Sequence, residues 1–285
     1  MLIRTLSTCL VAAALTLLAP AAPVEAATSK TNDTSGYVAG SYYTSAWTWG
    51  WDYNRGSFTR TWQTSNGGKN LDYFWINWNQ NRNPSYVGFD AGVGWNIPGG
   101  TEVIDLIGTN PRTKIKQKLW YKWTKNISPQ SGGFWLMGPK TIIYEKKYWD
   151  NQLDLDRQYE CYIVDDSNLS RSDLVEEYGL TARGSNTYIT KNTKNDGKRI
   201  RYYHYTRTLK HGAGFDVYQV FSIRAKYRGN NSRDFTAVND IMRHWKIRGL
   251  VPGHYYNLGW KINIETDGNF NASECGWSYL SFPKN

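Results

Sequence analysis

The sequence predicts an all-β domain, a sandwich or jelly roll that carries one α-helix. Three observations lead there. The 285 residues include 14 Trp, 21 Tyr and 9 Phe, and aromatic side chains suit pleated, half-buried surfaces. Short strand-like runs alternate with Gly/Asn turn signals along the chain. One stretch breaks this pattern: Val238, Ile241, Met242 and Trp245 recur at i, i+3, i+4 and i+7, the stripe of a single helix. The length by itself permits two domains. No repeat or low-complexity linker divides the chain, so one domain over 39–285 is expected.

In chain order, residues 1–27 read as a secretory signal peptide. Arg4 supplies a positive start, Leu6 to Leu18 is an apolar run too short to span a bilayer, and Val24-Glu25-Ala26 offers a small-residue cleavage site. Residues 28–38 (TSKTNDTSGYV) are polar and are expected to form a flexible N-terminal tail. Asn66-Gly67-Gly68 marks a turn before the strand Leu71 to Trp78. Asn96 to Gly100 marks a second, before a strand over 101–107. Asn195-Asp196-Gly197 separates strands at 187–190 and 200–206. The helix ends at Gly249 in the C′ place, and Asp234 or Thr236 is expected to cap its start. No later stretch is apolar enough for a transmembrane helix. A secreted, extracellular protein is expected, with no membrane attachment once the signal is removed.

Composition excludes several function classes. Apolar residues at 40% and charged residues at 20% rule out general disorder. The net charge of +10 is scattered, with no Lys/Arg block, so no nucleic-acid partner is expected. The four histidines lack metal spacing and CxxC is absent, so no metal site is expected. Gly-x-Ser-x-Gly and Gly-Lys-Ser/Thr are also missing. Of three cysteines, Cys9 leaves with the signal; Cys161 and Cys275 read equally as one bridge or two buried thiols. Asp154/Asp156, Asp165/Asp166 and Glu176/Glu177 lie in polar contexts and read as solvated surface charge.

Two glutamates sit inside strand-like runs. In Tyr159–Val164, Glu160 and Tyr162 share one face while Cys161 and Ile163 take the other. In Trp260–Glu265, Ile262 and Ile264 face the core, so Asn263 and Glu265 face away. Either glutamate alone reads as plain surface charge. Two, with aromatics on the same faces, suggest a cleft with opposed carboxylates, the arrangement used in glycoside hydrolysis.

These segments resemble glycoside hydrolase family 11, the small secreted endo-β-1,4-xylanases. Gly92-Val93-Gly94-Trp95-Asn96-Ile97-Pro98-Gly99 is similar to that family's Gly-x-Gly-Trp-Asn-Pro-Gly strand and turn. Glu160 to Asp165 resembles its nucleophile strand. Gln219 to Arg224 is similar to Gln-Tyr-Trp-Ser-Val-Arg, Met242 to Leu250 to the end of its only helix, and Trp260 to Gly268 to its acid/base strand. The shared order over about 90–285 is more specific than any one motif.

The resemblance implies a β-jelly roll of two curved antiparallel sheets with a single α-helix, and retaining endo-hydrolysis of a β-1,4-linked polysaccharide, xylan first, by an enzyme expected to be a monomer. It implies Glu160 as nucleophile and Glu265 as general acid/base. Tyr162, Gln219, Arg207, Trp47 and Tyr148 would bind substrate, and no cofactor is needed. The position that tunes the pH optimum falls at Gly88 or Asp90. The chain departs from the family in two places. The loop after Arg207 is short and lacks the Pro-Ser-Ile tip, and about 110–149 is an insertion expected to build an extra hairpin or flap beside the cleft. A carbohydrate-binding or host-recognition protein with altered catalysis, or a hydrolase of another β-glycan, are the alternatives.

Overall fold

A computed structural model describes residues 25–30, 35–39, 42–49, 56–80, 87–102, 119–146, 153–189, 200–210, 216–251 and 255–281. In chain order these form β1 (Glu25–Lys30), β2 (Ser35–Ala39), β3 (Tyr42–Trp49), β4 (Gly56–Ser65), β5 (Asn70–Gln80), β6 (Gly88–Glu102), β7 (Leu119–Asn126), β8 (Phe134–Lys146) and β9 (Leu153–Val164). They continue with β10 (Asp166–Ser167), α1 (Arg171–Glu177), β11 (Thr181–Ile189), β12 (Arg201–Lys210), β13 (Asp216–Arg224), β14 (Arg233–Thr236), α2 (Val238–Ile247), β15 (Tyr255–Asp267) and β16 (Phe270–Ser281). No helix among the described residues is long and apolar enough to cross a membrane.

The strands make two curved sheets. One runs β1-β4-β5-β16-β7-β14, the other β11-β12-β13-β9-β8-β15-β6-β3-β2, with β10 added on β8. Period-two alternation fills the space between them: Phe74, Ile76 and Trp78 of β5, Tyr121 and Trp123 of β7, Cys161 and Ile163 of β9, and Ile262 and Ile264 of β15 are all buried in one cluster. The helix α2 adds its predicted stripe, with Val238, Ile241, Met242 and Trp245 between 0% and 3% exposed. Gly249, at φ +65°, follows its C-cap.

A second apolar cluster lies on the other face of the larger sheet. Tyr162 and Val164 of β9, Phe221 and Ile223 of β13 and Leu136 of β8 are covered there by Leu174, Tyr178 and Leu180. These three come from α1 and the turn after it, so the structure has two helices where the sequence predicts one. Ser170 caps α1 by accepting from Asp173 N–H at 3.2 Å, and Leu174 and Tyr178 then share its inner side at i, i+4.

Other expectations also change. Residues 28–38 are polar enough to predict a tail, yet strands occupy much of them: β1 pairs with β4 and β2 with β3, because open sheet edges offer hydrogen-bond partners even to polar segments. The turn expected at Asn96 to Gly100 is continuous strand, accommodated by a register shift in β15 between Asn257 and Gly259. Within the region expected to be a flap, β7 and β8 are instead interior strands of the two sheets, and Trp123 and Trp135 are core residues. Residues 110–118 and 147–149 lie outside the described residues, as do Asn195–Gly197 and most of the short loop after Arg207. The β13–β9 pair is parallel rather than antiparallel, which the crossover through α1, β11 and β12 makes possible. Neither Asp234 nor Thr236 caps α2: Asp234 is paired with Arg224 and Thr236 donates to Asp165. Cys161 and Cys275 are two separate buried thiols.

Candidate active site

The strand β9 sends Cys161 and Ile163 inward, so Glu160 and Tyr162 emerge on the opposite face. Gln219 of β13 stands opposite Glu160 in the parallel ladder, and Arg207 of β12 stands opposite Gln219. This register becomes a relay of hydrogen bonds. Arg207 Nε donates to Gln219 Oε1 at 2.5 Å, and Gln219 Nε2 donates to Glu160 Oε2 at 2.6 Å. The guanidinium, which only donates, fixes the amide orientation, so the NH2 must face the carboxylate. Tyr162 OH donates to the same Glu160 oxygen at 2.9 Å.

Glu265 reaches the same face from β15. It lies in register with Asp90 of β6, and Asp90 with Trp47 of β3. Trp47 is 64% exposed, an unusual state for an indole and one that leaves its ring open to a partner. Glu265 Oε1 accepts from Tyr178 OH at 3.3 Å, and Oε2 is 3.4 Å from Lys140 Nζ. Lys140 thus stands between Glu265 and the tyrosine, Tyr162, that holds Glu160.

Two lysines complete the cluster. Lys140 of β8 is buried, ion-paired with Asp90, and lies 4.5 Å over the Tyr162 ring. Lys261 of β15 holds the other Asp90 oxygen at 3.1 Å and donates to Ser45 Oγ at 3.1 Å. Asp90 is thus the acid beside Glu265, whereas Gly88 pairs with Asp267. Arg207 is anchored a second time, with Nη1 donating to the Tyr178 carbonyl at 2.8 Å and its guanidinium 4.6 Å over the Tyr178 ring.

The surroundings separate the two glutamates. Burial pushes Glu160 up, but Lys140 and the bonds from Gln219 and Tyr162 outweigh it, so its carboxyl sits below the usual range. Burial also pushes Glu265 up; Lys140 opposes this, Asp90 and Glu160 reinforce it, and the carboxyl ends above the usual range. Asp90 is desolvated yet held well below the ordinary value by Lys140 and Lys261. Of the two carboxyls, Glu160 is therefore the stronger acid and Glu265 the weaker. Ammonium groups already fill the space between the acids, and among the described residues no three His, Cys, Asp or Glu side chains group as a metal site.

The structure therefore brings Glu160, Glu265, Tyr162, Gln219 and Arg207 together, with Trp47 on the same face. Tyr148 lies outside the described residues. Sequence reasoning missed Tyr178, Lys140 and Lys261. Ser170-x-x-Asp173 followed by Leu174 and Tyr178 was a legible helix signal for the first. Lys140 and Lys261 each alternate with core residues in an apolar run, the same pattern that marked the glutamates.

No protein-family model and no curated sequence matches the chain. Solved structures do. The family 11 xylanase from Neocallimastix patriciarum superposes with a TM-score of 0.54 at 16% identity, covering 90% of this chain and 98% of that one. A mutant of the ENZbleach xylanase gives 0.60 at 16% identity over 92% and 86% of the two chains. Another mutant of the same xylanase gives 0.61 at 16% over 91% and 86%. At this identity the likeness speaks for the fold: the chain is built as a family 11-like jelly roll, with the two glutamates on the face opposite its core.

Proposed function

We propose that the chain is a secreted retaining endo-glycosidase that cleaves a β-1,4-linked polysaccharide, xylan first. The observation that carries this reading is the pair Glu160 and Glu265 on one face of the larger sheet, linked through Lys140 and Tyr162 and driven apart in proton affinity. A spacing near 5–5.5 Å suits direct attack, while about 6.5–9.5 Å leaves room for a water and gives inversion. The first is the course that the family resemblance of the two strands implies. Glu160, ionised and oriented by Gln219 and Tyr162, attacks the anomeric carbon as Glu265 protonates the leaving oxygen. Glu265, now ionised, then deprotonates a water that releases the glycosyl ester. Trp47 offers a flat face for a sugar ring.

Reducing-sugar release from xylan tests the reading. Glu265→Gln should lower the rate by about 10²–10⁴-fold, and Glu160→Gln should abolish turnover. Proton NMR of the first product should show the β-anomer; the α-anomer would mean inversion. The alternative, a glycan-binding protein with altered catalysis, draws support from Lys140, whose charge opposes protonation of Glu265. Binding of xylan by the native chain without release of reducing ends would favour it.

A further inference from the structure

Lys140 and Lys261 stand directly opposite each other in the β8–β15 ladder, and both reach Asp90 on the face that carries the carboxylates. Like charges in that position repel and need a counter-ion. The fold gives the two ammonium groups one shared carboxylate, Asp90. Glu265 also lies beside Lys140, but in the first step proposed above it holds a proton. In that state Lys140, Lys261 and Arg207 stand with Asp90 and Glu160, three cations against two anions. Lys140 is sealed, with 7% of its side chain exposed, whereas Lys261 keeps 25%. The surplus charge therefore opens to the cleft at Lys261.

That ammonium is held in place before a ligand arrives. It donates to Ser45 Oγ and Asp90 Oδ1, each at 3.1 Å, and a lysine has a third N–H to give. Ser45 lies two residues from Trp47 on the same face of β3, about 7 Å along the strand. A sugar stacked on the exposed indole thus brings its substituents to Lys261. A second donor stands beside it. Ser45 pairs with Gly92, and Gly92 with Asn263. The Asn263 side chain leans over that glycine, its Oδ1 3.0 Å from where a Cβ would sit. Asn263 is 1% exposed, and neither its Oδ1 nor its Nδ2 meets a hydrogen-bond partner among the described residues. A buried amide left unpaired costs free energy until a ligand satisfies it. Lys261 and Asn263 converge over Gly92, an ammonium with a spare N–H and an amide NH2, which are donors suited to a carboxylate. A sugar hydroxyl would take the same hydrogen bonds but leave the charge unmatched. We propose that Lys261 and Asn263 bind the carboxylate of a uronic acid unit, so that the chain cuts an acidic β-1,4-glycan in preference to a neutral one. This preference rests on the glycosidase activity proposed above.

Initial rates on glucuronoxylan, and on the same polymer with its carboxyls reduced to hydroxymethyl groups, test this. The native chain should cut the acidic form with a kcat/KM about tenfold higher. Lys261→Met should lower that ratio about fivefold, Asn263→Ala should lower it as well, and Lys261→Arg, which keeps the charge, should preserve it. Lys69→Met, on the exposed turn after β4, removes the same charge elsewhere and should leave the ratio where it was. A ratio cancels any general loss of activity that follows from disturbing Asp90. A native ratio near one overturns the proposal, as does an unmoved ratio in Lys261→Met or Asn263→Ala. An equal fall in Lys261→Met and Lys69→Met overturns it too, since that would mark attraction to the +10 chain as a whole. If the native chain cuts neither polymer, the activity reading fails, while isothermal titration of the same chains with the two polymers still reads the carboxylate preference.

Discussion

Lys140 is the residue on which the chemistry of the cleft turns. Its ammonium is nearly inaccessible, pairs with Asp90, and lies close enough to both glutamates to lower each. Removing it as Lys140→Met has a defined sign. Glu160 and Glu265 both lose an opposite charge, so both carboxyls titrate at higher pH. In the proposed mechanism turnover needs Glu160 ionised and Glu265 protonated. Both limbs of the kcat/KM profile should therefore move to higher pH. Stability should fall by about 3 kcal/mol, because Asp90 loses one buried partner. A pH–rate series and a urea titration check the two effects; an unmoved profile would remove Lys140 from the electrostatics of the site. Tyr178 belongs to the same scale. It bridges Glu265 and Arg207 from the turn after α1, so Glu265 and the guanidinium that orients Gln219 are coupled through one residue that the strand pattern alone does not reveal.

At the scale of elements, α2 is tied to the larger sheet by a polar chain as well as by its apolar stripe. Trp245 Nε1 donates to Ser222 Oγ at 2.7 Å, Ser222 meets His204 Nδ1 at 2.7 Å, and His204 Nε2 meets His244 Nδ1 at 2.7 Å. Burial above all, with His244 and Arg248, lowers His204 from 6.5 to about 3. Between those values the unfolded chain binds a proton that the folded chain refuses. Stability contributed by this histidine is complete above pH 6.5 and is lost as pH falls toward about 3. His204→Gln should flatten the loss between pH 7 and pH 5, read from urea midpoints of the two proteins at each pH. Equal slopes would show that the His204–His244 contact does not set acid stability. The helix itself was legible because four apolar residues at 3.6 spacing have no alternative reading. Its cap was not, since Asp234 and Thr236 are good caps that found stronger partners, Arg224 and Asp165.

Across the whole molecule, periodicity assigned faces correctly but could not assign neighbours. Glu160 and Glu265 were placed on the right sides of their strands, and the all-β architecture followed from the same alternation. The segments 119–126 and 134–146 were misjudged because their excess spacing was visible and their places inside the sheets were not. Asp165 was misjudged for the same reason. In sequence it sits in a polar run, yet in the fold it is 0% exposed. Tyr121 from one sheet donates to it at 2.6 Å, Tyr202 from the other at 3.0 Å, and Thr236 of β14 also donates. Arg224 and Arg228 each approach it at 3.6 Å, and Arg228 stacks 3.9 Å over the Tyr121 ring. One carboxylate thus holds both sheets and two buried cations together. Asp165→Asn keeps the shape and most hydrogen bonds but leaves the guanidinium groups short of a counter-charge, with Asp234 still beside Arg224. Breaking a buried ion pair costs about 3 kcal/mol or more, and at 2–4 °C per kcal/mol for a chain of this size the thermal midpoint should drop by roughly 6–12 °C. Differential scanning calorimetry reads this directly. A midpoint within about 1 °C of the native protein would mean that packing between the sheets, and not the Asp165 cluster, holds them together.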